Sequence, residues 1–204
     1  MQMVFANNRL FVLTIDLEIT DEYSLVVIDG TSSMVIHETG LGYDVEQIFA
    51  DTDQNMIISY QELHTVLNSS TMGVQYVGYE DGKEPMFHAS KYNCFDDLGR
   101  LFYKRPNDDG IHSNIPAIYD FTNNLAILYF YENFLTASQL EFEYKIGDTT
   151  MVSYDDTNGI MIVGYQKLDN EGKGGLLRIQ LEPIPELLDN LDLDGVPKHL
   201  IYQN

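Results

Sequence analysis

The chain has 204 residues and carries 11 Lys plus Arg against 32 Asp plus Glu, a formal net charge of −21. That length buries the core of one domain, or of two small ones, while the charge repels phosphate backbones and anionic bilayers and so excludes nucleic acid and membrane surfaces as expected partners. A single cysteine, Cys94, excludes an internal disulfide framework.

The opening "MQMVFANNRLFVL" has neither the basic start nor the long apolar stretch of a secretion signal. A cytoplasmic location, or one inside an assembled particle, is expected. The longest apolar runs, such as "LAILYFY", fall far short of the roughly 20 residues that cross a bilayer.

Strand signals then dominate in chain order: "RLFVLTIDL", "YSLVVIDG", "SMVIHET", "GVQYVGYE", "RLFYKR", "NLAILYFY", "QLEFEYKI", "TMVSYDD", "IMIVGYQ" and "GLLRIQLE". Each is short, rich in β-branched or aromatic residues, and bounded by Gly, Asn or Asp. In "QLEFEYKI" the alternation of Leu140, Phe142, Tyr144 and Ile146 with Glu141, Glu143 and Lys145 predicts a strand with one wet face. Connections such as "DGTSS" (29–33), "NDDG" (107–110) and "TNGI" (157–160) supply residues that accept positive φ, as tight hairpins require.

Two helices are expected. "SYQELHTVLNSS" (59–70) pairs Ser59 with Glu62 as a capping box ahead of Leu63, Val66 and Leu67. "IPELLDNL" (184–191) places Leu187, Leu188 and Leu191 on one side. The domain reading is a β-repeat domain over 1–180, followed by an acidic C-terminal extension over 181–204 that packs on the domain or on a partner.

The chain also echoes itself. "DTDQNMIISYQ" from Asp51 aligns without gaps with "DTNGIMIVGYQ" from Asp156, and "YDFTNNLAILYFY" from Tyr119 aligns with "YDDTNGIMIVGYQ" from Tyr154. "ANNRLFVLT" and "FDDLGRLFYKR" are weaker members. Each copy is a strand, an Asp/Thr/Asn/Gly turn and an apolar strand, so the repeated unit is a β-hairpin that needs neighbours to cover its apolar faces. This grammar resembles β-propeller blades, which implies four-stranded units around an axis with a partner or ligand face at one end. Counted from Asn7, Asp53, Gly99, Asn123 and Asn158, the spacings are 46, 46, 24 and 35 residues, whereas blades repeat at about 40–50. The fold expected is all-β, an antiparallel meander of hairpins, propeller-like, with a β-sandwich or barrel as the alternative.

For sites, "DTDQNMIISYQE" (51–62) has the outline of a twelve-residue calcium loop. Asp51, Asp53, Asn55, the Ile57 carbonyl, Ser59 and Glu62 stand at its ligand positions. Met56 occupies the position where the sharp turn calls for glycine, and a hairpin turn with an acidic flank is the favoured reading. Calcium is the one cofactor raised. The five histidines, His37, His64, His88, His112 and His199, are scattered, and no catalytic residue stands out. Paired carboxylates, Asp96–Asp97, Asp108–Asp109 and Asp155–Asp156, leave a glycan-cleaving or glycan-binding propeller as an alternative. Tyr129, Tyr131 and Phe134 are the candidate interaction residues, in an aromatic cluster with Phe130 where strand alternation would push some rings outward. The function expected is a non-catalytic structural or protein-interaction subunit of a larger assembly, such as a viral or phage particle. A calcium-dependent binding module is the other alternative.

Overall fold

The computed structural model describes residues 2–18, 21–90, 94–107 and 112–201. It divides into two compact units, Met1–Glu84 and Pro85–Asn204. Among the described residues sixteen strands form four separate antiparallel sheets of four strands each, with neighbours in the sheet following one another along the chain. Separate sheets of this kind are blades, not the two faces of a sandwich or a closed barrel.

In the first unit, β1 (Gln2–Ala6), β2 (Arg9–Ile15), β3 (Tyr23–Asp29) and β4 (Val35–Gly42) make the first sheet. β5 (Gln47–Ala50), β6 (Met56–Ser59), β7 (Leu63–Leu67) and β8 (Val74–Gly78) make the second. Register sets Phe11 opposite Val27 and Leu13 opposite Leu25, so these four share one face. They pack against Ile48, Met56, Ile58 and Leu67 of the second sheet, and each such side chain contributes about 1.5–3 kcal/mol on burial. The other face of the first sheet is apolar too. There Met3 pairs with Val12 and Phe5 with Leu10, yet Met3 stays 63% and Phe5 62% exposed.

In the second unit, β9 (Cys94–Phe95), β10 (Arg100–Pro106), β11 (Asn114–Asp120) and β12 (Leu125–Leu128) make the third sheet. β13 (Ile146–Asp155), β14 (Ile160–Lys167), β15 (Asn170–Gln180) and β16 (Glu186–Leu193) make the fourth. Phe102 and Ile118 from the third sheet meet Val152, Met161, Val163 and Leu177 from the fourth in one core. Burial falls off towards the outer strand. β6 is buried throughout and β14 over six consecutive residues, whereas β8 and β16 have no buried residue.

Three sequence expectations give way to strands or turns of the other kind. The helix expected over 59–70 is β7, and its capping-box Ser59 is the last residue of β6, in register with His64. The helix expected over 184–191 is β16, paired along β15. The repeat therefore runs through 186–193, and Pro197 beyond it lies against Gly164 and Gly174 of the same sheet. In the other direction, the strand expected at "QLEFEYKI" is a single π-type helical turn, Gln139–Glu143, with Leu140 buried and Phe142 71% exposed. A true capping box opens it. The Gln139 amide N–H donates to Thr136 Oγ1 (3.2 Å), and the Thr136 amide N–H donates to Gln139 Oε1 (2.9 Å).

The irregular spacing has a structural cause. Asn7, Asp53, Gly99 and Asn158 lie in the turn between the first and second strands of their sheets, but Asn123 lies between β11 and β12, the third and fourth. Without it the interval from Gly99 to Asn158 is 59 residues. The excess over 46 is taken up by the segment 129–145, which holds a 3-10 turn at Tyr131–Asn133 and the π-type turn.

Candidate interaction cleft

An acidic residue closes each of the echoed turns, although in the fourth sheet it is Asp155 and not the Asp156 that aligns with Asp51. Asp51 Oδ1 accepts the Asn55 amide N–H (2.7 Å), and its Oδ2 accepts the Asn55 side chain (3.1 Å). Asp120 and Asp155 do the same with Asn123 and Asn158, each accepting two backbone N–H groups and one side-chain amide. Asp29 and Asn68 accept from Ser32 and Thr71 in like manner. These are Asx turns, in which a short carboxylate or amide closes the backbone on itself. The hydrogen bond to Asn158 holds the Asp155 carboxyl below the usual carboxylate range. In a meander the first and third turns leave the sheet at one end, so within each blade these turns gather at that end. There Gly99 and Gly159 take φ of 74° and 69°.

The residues of the calcium outline are divided by this hairpin. Asp51 and Asn55 are bonded to each other, and Asp53 is exposed at the turn tip. Gln54, not Met56, takes the positive φ, at 64°. Ser59 is buried in β6 and its hydroxyl donates to the Gln47 carbonyl (3.3 Å). Glu62 stands at the β6–β7 turn, at the opposite end of a four-residue strand of about 13 Å. The stretch is a hairpin and not a loop leading into a helix, so Glu62 does not close a ring of ligands with Asp51.

The aromatic cluster faces inward. Tyr131 is fully buried and shares a 2.6 Å hydrogen bond with Thr149, and burial raises its hydroxyl pKa. Tyr129 and Phe134 are half-buried against the same core. Strand alternation fails here because the strand ends at Leu128 and the chain turns at Tyr131–Asn133. Phe130 is the exposed ring of the group.

Two of the carboxylate pairs meet and one lies outside the described residues. The Asp97 amide N–H donates to Asp156 Oδ1 (3.3 Å), and burial, then the charges of Asp97, Asp96 and Asp155, raise the Asp156 pKa. Asp96 is paired with Arg100 (2.6 Å). Asp108 and Asp109 are the pair outside. Among the histidines, His64 and His112 are buried and His88 and His199 exposed. Burial lowers the His64 pKa to about 4, and its Nδ1 lies 3.1 Å from the Tyr79 hydroxyl. His37 lines a cleft. Among the described residues no three His, Cys, Asp or Glu side chains converge as a metal site.

That cleft, of about 660 Å³, lies within the first unit, between β3 and β4 on one side and β6 to β8 on the other. Its floor is Leu25, Ile58, Leu63, Leu67 and Met72, and the exposed Val74 and Tyr76 extend the apolar wall along β8. Asp44 and Glu62 stand at its exposed margin without a Lys or Arg partner among the described residues. Thr65, 4% exposed, also lines it, and its hydroxyl interacts with that of Tyr60. Burial raises the Tyr60 pKa. Sequence reading missed this place because "SYQELHTVL" read as a helix. The available signal was "GVQYVGYE", whose Val74 and Tyr76 repeat at two-residue spacing on an outer strand with no second layer over them.

No protein-family model and no curated protein matches the chain. Solved structures do. A Kuenenia stuttgartiensis hydrazine synthase structure is similar over 97% of this chain and 55% of its own, with a TM-score of 0.59 and 12% identity. The Dos1 propeller is similar over 94% of this chain and 47% of its own, with a TM-score of 0.52 and 12% identity. The chain thus spans about half the length of these two structures. At this identity the likeness concerns architecture, and with the four sheets described above it fixes the fold as all-β and propeller-like, built from repeated four-stranded blades.

Proposed function

We propose that this chain is a non-catalytic protein-interaction subunit of a larger assembly, and that its first unit holds a segment of a partner protein. The observation that carries this reading is the cleft. It has an apolar floor, polar groups set at its margin, and a size within the range of about 300–1,000 Å³ typical of binding pockets. An apolar centre with a polar rim is the layout of a docking surface. The uncovered Met3 and Phe5 on the first sheet add a second place where contact with another protein removes apolar area from water.

The test is a photo-reactive aromatic residue placed at Tyr76, with a control at the exposed Phe142 of the second unit. In cells that make the protein natively, irradiation is expected to give a discrete protein adduct from position 76 and none of that mass from position 142. Equal labelling from both positions, or none from position 76, would remove the reading.

A further inference from the structure

We infer that the occupant of the first unit's cleft is an extended peptide segment bearing a lysine or arginine beside an aliphatic residue; this rests on the interaction reading above and names its partner chemistry. Two features of the cleft converge on that class. The floor of Leu25, Ile58, Leu63 and Leu67 offers apolar surface long enough for an aliphatic side chain, or for the methylene stem of a basic one. Asp44 and Glu62 stand over that floor with no cation of their own among the described residues. A guanidinium or ammonium emerging from the floor meets these two carboxylates, and Tyr60 and Tyr76 are aromatic residues of the same lining.

An acidic segment is opposed by Asp44, by Glu62 and by the −21 net charge of the chain. A purely apolar one leaves both carboxylates facing apolar surface.

The experiment uses the whole chain and three end-blocked hexapeptides, in which leucine alternates with arginine, glutamine or glutamate, read by calorimetry at physiological salt. The arginine peptide is expected to bind about tenfold or more tighter than the glutamine peptide, and the glutamate peptide weakest. Asp44→Asn with Glu62→Gln is expected to abolish that preference. Glu141→Gln with Glu143→Gln, which removes the same charge from the second unit, is expected to leave it intact.

Equal affinity for the arginine and glutamine peptides, or an arginine preference lost equally with the remote pair of substitutions, overturns the inference. So does absence of binding by all three. In each case the crosslink at position 76 reads the broader interaction reading separately: an adduct there keeps a protein partner and rejects a basic one.

Discussion

The hydroxyls of Tyr131 and Thr149 share a 2.6 Å hydrogen bond inside the second unit, where neither residue keeps any exposure. Each is the other's partner at the point where the 129–145 segment crosses β13. Tyr131→Phe strands the Thr149 hydroxyl and is expected to cost about 1–3 kcal/mol, visible as an earlier urea midpoint. Adding Thr149→Val removes both polar groups and is expected to recover part of the loss. A single variant as stable as the parent would show that the pair holds nothing together.

Asp51 closes its hairpin through Asn55, so its carboxylate is occupied by the protein's own N–H groups. Asp51→Ala is expected to lower stability by about 1 kcal/mol, and by the same amount with and without calcium. Thermal melts of parent and variant across a calcium titration check this. A melting temperature that rises with calcium in the parent alone would mean that the turn holds an ion.

His64 titrates low in the folded chain, at about 4, because burial disfavours the imidazolium, against about 6.5 for an exposed histidine. Between those values the unfolded chain binds a proton that the folded chain does not. This contribution is therefore complete above pH 6.5 and is lost as pH falls from 6.5 towards 4, by up to about 3 kcal/mol. Stability of the parent relative to His64→Gln, followed from pH 7 to pH 4, should show that slope. Parallel curves would refute it.

Gly175 leaves room for the Tyr165 ring. A Cβ at Gly175 would come 2.5 Å from the Tyr165 hydroxyl oxygen and 2.6 Å from Cζ, and the buried ring is held by a hydrogen bond that its hydroxyl donates to Asn190 (2.9 Å). Gly175→Ala is expected to cost about 1–3 kcal/mol through overpacking. Faster amide exchange along β15 and β16, with the first unit unchanged, is the matching readout.

The hairpins were legible because their turns use local chemistry: an Asp or Asn closing on a residue a few positions ahead needs no distant partner. The helices were misread where distant partners decide. Ser59 and Glu62 have capping-box spacing, but the ladders to β5 and β7 give Ser59 a strand's hydrogen bonds. The true capping box at Thr136 and Gln139 went unread because the alternation of "EFEYKI" looked like a strand. The aromatic cluster failed for a related reason: period-2 outward facing holds only while the strand lasts, and it ends at Leu128. The cleft had only the signal of Val74 and Tyr76 on an outer strand, since Leu25 and Met72 meet only once the first two sheets are packed.

The Asx turns bear on any redesign of this protein's charge. The side chains of Asp29, Asp51, Asp96, Asp120 and Asp155 each accept at least one backbone N–H within their own turn, so part of the acidity is stitching and not surface. Neutralising those five to ease purification or assembly would loosen hairpins in all four blades. Exposed carboxylates such as Glu141 and Glu171 accept no such bond from a hairpin turn and are the positions where charge is free to be rewritten.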